Sequence, residues 1–241
     1  MKNQQKTNKK KLFFLILFLF STSLLSLKTI KKLTSQDIKI HGSKLFSKED
    51  IVQNSSLNLP TRLIFIKTKY IEQELKKNLS LKNVSVSRQI LPFGLSVLIK
   101  TRTPIAYGEK FLNGQKISGF VDEEGFFINK EYADKRNLKR PITKVFGWQK
   151  KYRKTLSIIL TFQKNDKPEF IKIIFSKNGF LTLEEKDLQT ILLGFNRNLI
   201  RSQLQIISEL KHKLKGKNIS KKIANIDLTD PNNPKIKVFK P

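Results

Sequence analysis

Cysteine is absent from the 241 residues, and the chain has two histidines, one methionine and one tryptophan. Without Cys there is no disulfide framework, iron–sulfur cluster, zinc finger or thiol nucleophile. His41 and His212 lie far apart in sequence, which argues against a histidine-rich metal centre. Acidic residues are also scarce: 19 Asp and Glu face 48 Lys and Arg, a formal charge of +29. Gly-rich phosphate loops, paired His and Glu at metal spacing and a G-x-S-x-G elbow are all missing. The 39% hydrophobic content is nevertheless enough for a folded core, which excludes a wholly disordered basic tail.

A basic chain suggests nucleic acid first, but the test is whether the charge is gathered into a footprint. Residues 1–32 hold 8 basic and 0 acidic groups, residues 33–107 hold 12 and 5, and residues 108–241 hold 28 and 14. The excess is spread throughout, as a general lysine bias would spread it. No nucleic-acid partner is expected.

The one long apolar run is Leu12–Leu27, sixteen residues without charge, between a tail with five lysines and the group Lys28, Lys31 and Lys32. At about 1.5 Å per residue the run alone falls a little short of the roughly 30 Å hydrocarbon core. Extension to Ile30, with Lys28 snorkelling, brings it near spanning length. A cleaved signal peptide is the alternative, but the small-residue A-x-A pattern is missing after the run. The sequence therefore predicts a cytoplasmic tail over 1–11 and a transmembrane helix over 12–30. The basic flank keeps the N-terminus inside and places the bulk of the chain outside the membrane.

Residues 34–107 alternate strand and helix signals. Ile38-Lys39-Ile40 leads to a turn at His41-Gly42, and Ser47-Lys48-Glu49-Asp50 caps a short helix that carries Ile51 and Val52. Ile71, Leu75 and Leu79 are spaced as one face of a helix beginning at Lys67. Val84 and Val86, then Leu95, Val97 and Ile99, alternate as two strands around Pro92-Phe93-Gly94. The order is β-α-α-β-β, with an expected core of Ile38, Ile40, Ile51, Leu75, Val84, Val86, Val97 and Ile99.

Residues 108–241 predict a strand-rich second domain. Phe170–Phe175 and Gly179–Leu183 read as a hairpin turning at Asn178-Gly179, and Asp187–Leu193 as the next strand. Ile158–Leu160 begins a helix or a strand. Over Asn196–Lys215 the period becomes helical, with Ile200, Leu204, Ile207 and Leu214 on one face and Lys, Gln and Ser opposite. Ile223–Leu228 and Ile236–Phe239 are short strands about Asp230-Pro231-Asn232-Asn233-Pro234.

Candidate catalytic groups have simpler readings. Asp122-Glu123-Glu124 lies between Gly119 and Gly125 and reads as a turn. Glu184-Glu185 reads as a solvated hairpin end, His212 as part of a Lys-rich helix face, His41 as a strand end and Trp148 as core. No enzyme, cofactor or metal is expected.

The order and spacing resemble the FtsQ/DivIB family of bacterial cell-division proteins. Ile38-x-Ile40-x-Gly42 followed by Ser47-x-x-Asp50-Ile51 resembles that family's first strand and helix. Val84-x-Val86-x-Arg88, Pro92, Leu95-x-Val97 and Arg102-x-Pro104-Ile105-Ala106 resemble the closing strands of its POTRA module. Phe120-Val121-Asp122-x-x-Gly125-x-x-Ile128, Pro141 with Gly147, Leu193-Gly194 and Ile226-Asp227-Leu228-Thr229 resemble successive steps of its second domain. Two positions depart: Thr101 stands where the family usually has Glu before Arg102, and Lys82-Asn83 replaces a Pro before Val84.

The resemblance implies an α+β protein with a transmembrane helix, a β-α-α-β-β POTRA module over 34–107 and a mainly antiparallel β domain with a flanking helix over 108–241. It implies a non-catalytic bitopic scaffold of the plasma-membrane division septum. Partners would be small FtsB-like and FtsL-like bitopic division proteins, with septal peptidoglycan synthesis proteins also in reach. Binding would occur by strand addition at a C-terminal sheet edge, Ile226, Asp227 and Leu228 with Lys235, Ile236, Lys237, Val238 and Phe239. The alternating edge lysines also suit the blunting of edge-to-edge aggregation. Alternative readings are an outer-membrane assembly or transport component built on a POTRA module, and a membrane-attached nucleic-acid binder.

Overall fold

The computed structural model describes residues 11–24, 31–134, 143–166, 169–214 and 223–239. Residues 11–24 are helical (α1), and the large side chains of Leu12 to Phe20 are all exposed. Among the described residues no helix is long and apolar enough to cross a membrane. The rest of the expected span, up to residue 30, and the tail over 1–10 lie outside the described residues.

Two compact units follow from the packing, residues 1–101 and residues 102–241. In the first, β1 (Lys32–Leu33) precedes β2 (Ile38–His41), α2 (Lys48–Gln53), β3 (Thr61–Arg62), α3 (Thr68–Asn78), β4 (Asn83–Gln89) and β5 (Gly94–Lys100). The expected β-α-α-β-β order is present as a three-stranded sheet, β2-β5-β4, in which β2 runs parallel and β4 antiparallel to the central β5. A second, small antiparallel pair joins Lys32 to Arg62 and Leu33 to Thr61.

Local chemistry explains these elements. Ser47 accepts from Asp50 N at 3.1 Å while Asp50 Oδ2 accepts from Ser47 N at 2.8 Å, so two orphan donors at the start of α2 satisfy each other's residues. Ile71 and Leu75 bury one side of α3, beside Val84 and Val86 of β4 and Leu95, Val97 and Ile99 of β5. Of the expected core only Ile40 is half-buried; the other seven residues are buried. Gly42 closes β2 at φ +85°, and a side chain there would overlap the Ile99 carbonyl.

Among the described residues the second unit has one sheet of nine strands. These are β6 (Ala106–Leu112), β7 (Gln115–Val121), β8 (Phe127–Asn129), β9 (Thr143–Phe146), β10 (Phe170–Phe175), β11 (Leu181–Glu185), β12 (Gln189–Gly194), β13 (Ile223–Asp227) and β14 (Lys235–Val238). Their spatial order is β14-β13-β12-β11-β10-β9-β6-β7-β8. Two helices, α4 (Arg153–Asp166) and α5 (Ile200–Leu214), lie together. Leu156, Ile159 and Leu160 of α4 and Ile200, Leu204 and Ile207 of α5 share a core with Ile173, Leu183, Ile191 and Ile226 of the strands.

The sheet is mainly antiparallel, as expected, with three parallel pairings inside it: β9 is parallel to both β6 and β10, and β12 is parallel to β13. Parallel neighbours need a crossover, and α4 and α5 supply two of them; α4 takes the helical one of the two readings left open at Ile158–Leu160, and α5 is the helix expected over Asn196–Lys215. The compact packing divides between Thr101 and Arg102, and Ala106 and Tyr107 pair with Val121 and Phe120 in the larger sheet. Glu185, expected to be solvated, is buried and accepts from Glu169 N, Asp187 N and Leu188 N.

The second unit carries one pattern twice. β9-α4-β10-β11 and β12-α5-β13-β14 are each a parallel β-α-β crossover followed by an antiparallel strand. The second copy is laid against the first by the antiparallel pair β11 and β12.

Candidate partner-binding edge

The C-terminal edge is built from α5 outward. Gln203 is buried, and its Nε2 donates to the carbonyls of Leu193 (2.9 Å) and Leu228 (2.7 Å). One amide thus ties the end of β12 to the residue that follows β13. The sequence reading put glutamines on the outer face of this helix; the structure turns Gln203 inward, where two converging strand ends offer unpaired carbonyls. A polar residue one position before Leu204 on the apolar stripe was the available signal.

Beyond β13 the chain turns on its own acids. Asp227 Oδ1 accepts from Thr229 N (3.0 Å) and Thr229 Oγ1 (2.7 Å), and Asp230 Oδ1 accepts from Asn232 N (3.0 Å). The bond from Thr229 N holds the Asp227 carboxyl below its usual range, helped by the Thr229 hydroxyl, against slight desolvation. The chain then returns as β14, pairing Asp227 with Lys235, Ile226 with Ile236 and Asn225 with Lys237.

This register sorts the eight expected residues. Ile226 and Leu228 are buried in the core, so their side chains support the edge and do not face outward. Ile236 and Val238 lie on the same sheet face as Ile226, carrying the apolar surface beyond the helices, and both are exposed. Lys235 and Lys237 occupy the opposite face with Asp227, and cross-strand Asp227 and Lys235 have opposite charges. Phe239 follows β14 and is exposed. β14 is the end strand of the sheet, with a neighbour on one side only among the described residues. A free strand edge of this kind offers backbone donors and acceptors to another strand.

Other candidate groups are placed structurally. Asp122 pairs with Arg102, and Trp148 packs on the core while its Nε1 donates to the Gly125 carbonyl at 2.9 Å. His41 and His212 are exposed. Pro141 lies outside the described residues. Among those described, no group of three or more His, Asp or Glu is placed to hold a metal ion.

No curated protein matches the chain. A family model described as "POTRA domain, FtsQ-type" matches residues 33–102, under a third of the chain, taking in β2, α2, α3, β4 and β5. Over those residues the chain is similar to an FtsQ-type POTRA domain.

Proposed function

We propose that this protein is a non-catalytic scaffold of bacterial cell division, held in the plasma membrane by residues 12–30 with its N-terminus in the cytoplasm. Its outer domains would link small bitopic division proteins, FtsB-like and FtsL-like, and through them the septal peptidoglycan synthesis proteins. The FtsQ-type POTRA domain supports the division role. The uncharged run Leu12–Leu27 between lysine clusters supports the anchor and its orientation.

The observation that carries partner binding is the repeated topology. β11 and β14 are the last strands of two matching β-α-β-β units, and β11 is covered by β12 running antiparallel. The outer edge of β14 is the corresponding position in the second copy, and a partner strand laid there antiparallel would continue the sheet by the same backbone bonds. Its side chains would meet Ile236 and Val238 on one face and Lys235 and Lys237 on the other, which favours a strand alternating apolar and acidic residues.

The test is a tagged full-length chain followed in dividing cells. Mid-cell fluorescence, protease sensitivity of the outer domains in spheroplasts and co-purification of small bitopic division proteins are expected. Uniform membrane fluorescence with no such partners recovered would refute the scaffold reading. Protection from protease would refute the orientation alone.

A further inference from the structure

In the first unit, several large apolar side chains stand in solvent rather than in the core, on the stretch from the turn after β3 into the first turn of α3 and on the β4–β5 hairpin tip. Phe65 is 65% exposed, Tyr70 54% and Ile64 51%, just after β3, and Leu91 is 75% exposed at the tip of the β4–β5 hairpin beside Ile90. Single exposed apolar residues are ordinary, but grouped ones mark a contact surface.

Specific contacts tie these two segments to each other and to the point where the chain leaves the apolar run. Lys32 pairs with Arg62, two residues before Ile64. The Arg88 guanidinium donates to the Ile66 carbonyl at 2.7 and 3.2 Å, joining the loop after β3 to the base of the hairpin tip. Lys31 Nζ lies 4.9 Å from the centre of the Phe93 ring, in that same tip, and 3.1 Å from Asp37 Oδ1. Residues 31–32 therefore sit against both exposed loops.

Lys31 is four residues from Leu27, the end of the uncharged run. Four residues reach at most about 14 Å even when fully extended. Whatever plane Leu27 occupies, the loops holding Leu91 and Phe65 start close to it. The polar groups of the same rim are mainly basic: Lys31, Lys32, Arg62, Lys67 and Arg88, with Asp37 the acid in contact. Apolar and aromatic tips interleaved with cations are suited to the headgroup boundary of an anionic bilayer, where apolar tips enter and cations meet lipid phosphates.

We infer that the POTRA unit docks on the surface of an anionic phospholipid bilayer beside its own anchor, inserting Leu91 and Phe65 into the headgroup boundary. The inference rests on the reading of residues 12–30 as the anchor. A docked unit would have a fixed tilt over the membrane.

The missing cysteine makes the test direct, since single introduced thiols can be labelled in the full chain. The variants are Phe18→Cys in the anchor, Phe65→Cys and Leu91→Cys on the rim, and Lys77→Cys at the exposed end of α3. Each is labelled with an environment-sensitive fluorophore and reconstituted into phosphatidylglycerol–phosphatidylcholine vesicles with or without lipids carrying a quencher near the headgroup or along the chain. A loss of at least about twofold in emission is expected at positions 65 and 91 with the shallow quencher and at position 18 with the deep one, with little change at position 77. Quenching at position 18 with none at 65 and 91 overturns the docking and leaves the anchor standing, and a soluble protein partner would then be the occupant of the rim. No quenching at position 18 overturns the anchor itself. Equal quenching at 65 and 91 in phosphatidylcholine alone overturns the role given to the basic residues.

Discussion

Arg102 Nη1 donates to Asp122 Oδ2 at 2.5 Å, and both side chains are buried. Asp122 Oδ1 also accepts from Phe126 N at 2.8 Å, and the guanidinium lies 3.5 Å from the centre of the Phe126 ring. The first residue of the second unit is thereby fastened to the β7–β8 turn. Thr101 offers Arg102 no adjacent acid, and the guanidinium takes its carboxylates from about twenty residues further along, Asp122 and, at 3.3 Å, Glu124. Breaking a buried pair from one side leaves an uncompensated charge, which costs about 3–5 kcal/mol. Asp122→Ala leaves the buried guanidinium only the half-exposed Glu124 carboxylate at 3.3 Å, and is expected to lower the stability of the second unit by about 3 kcal/mol, the lower end of that range, in urea titrations. Asp122→Asn, which keeps the acceptor for Phe126 N, should cost less.

Glu185 predicts a graded pair of effects. Its carboxylate is buried, accepts three backbone N–H groups and pairs with Lys211 of α5. Burial pulls the Lys211 ammonium down, but Glu185 and Asp187 outweigh it and its pKa ends raised. Glu185→Ala takes the acceptor from three amides and leaves Lys211 with the exposed Asp187 alone, at 3.2 Å, and is expected to cost about 3 kcal/mol. Lys211→Ala should cost less, because Glu185 keeps its three amide donors. Equal midpoints for the two variants on thermal unfolding would contradict this network.

Gly147 carries a backbone prediction. It follows β9 at φ +69°, and a side chain there would overlap the Phe175 carbonyl oxygen of the neighbouring β10. Left-handed backbone costs a non-glycine residue about 1–3 kcal/mol before any overlap is counted. Gly147→Ala should therefore destabilise by at least about 2 kcal/mol. Gly114→Ala is the control: its φ is +78° but nothing lies within 4 Å, so only the backbone part of the cost should remain.

What was legible in the sequence follows from the range of the interactions. Alternation in Val84–Val86 and Leu95–Ile99, the Ser47 cap and the four-residue spacing of Ile71, Leu75 and Leu79 are local, and the POTRA unit came out in the right order. The parallel pairings of β9 and β12 are not local: they depend on α4 and α5 crossing over the sheet, and no residue pattern within a single strand distinguishes a parallel from an antiparallel neighbour. For the same reason Glu185 looked like a solvated turn residue. Its ammonium partner lies 26 residues away on α5. At the candidate edge the strands were legible from their alternation, but not the inward set of Ile226 and Leu228, which depends on which sheet face the helices cover.

Asp227 gives a pH dependence with a definite sign. Its pKa is lowered in the folded protein by Thr229 N and then Thr229 Oγ1. A lowered folded pKa means a contribution fully present above the unfolded value of about 3.9 and lost as pH falls through the folded one. Asp227→Asn should therefore unfold more readily than the parent at neutral pH, by a small margin because the carboxylate is largely solvated. The gap between the two should close as pH drops below the ordinary carboxylate range. A gap that widens on acidification would assign Asp227 the opposite sign.

The edge itself yields the prediction that bears most on function. If β14 receives a partner strand, the affinity rests on backbone donors and acceptors, with apolar contacts at Ile236 and Val238 adding to it. Ile236→Pro removes an N–H and fixes φ, and so disrupts pairing whatever the side chain contributed. Val238→Asp and Phe239→Asp leave the backbone intact and test the exposed apolar contacts. Ile226→Asp would instead bury a charge in the core of the second unit and unfold it, so it cannot report on binding. Ile236→Pro and at least one of the two aspartates are expected to abolish co-purification of the small bitopic division proteins, with membrane association of the chain unchanged. Lys235→Glu with Lys237→Glu should weaken binding of an acidic partner strand, and more so at low salt, where exposed charges are least screened. Deleting residues 234–241 should remove binding while the POTRA unit, whose core shares no residue with β14, still unfolds at its parental midpoint. Parental recovery of those partners by the deleted chain would move the binding site off this edge and leave Lys235 and Lys237 as guards against aggregation.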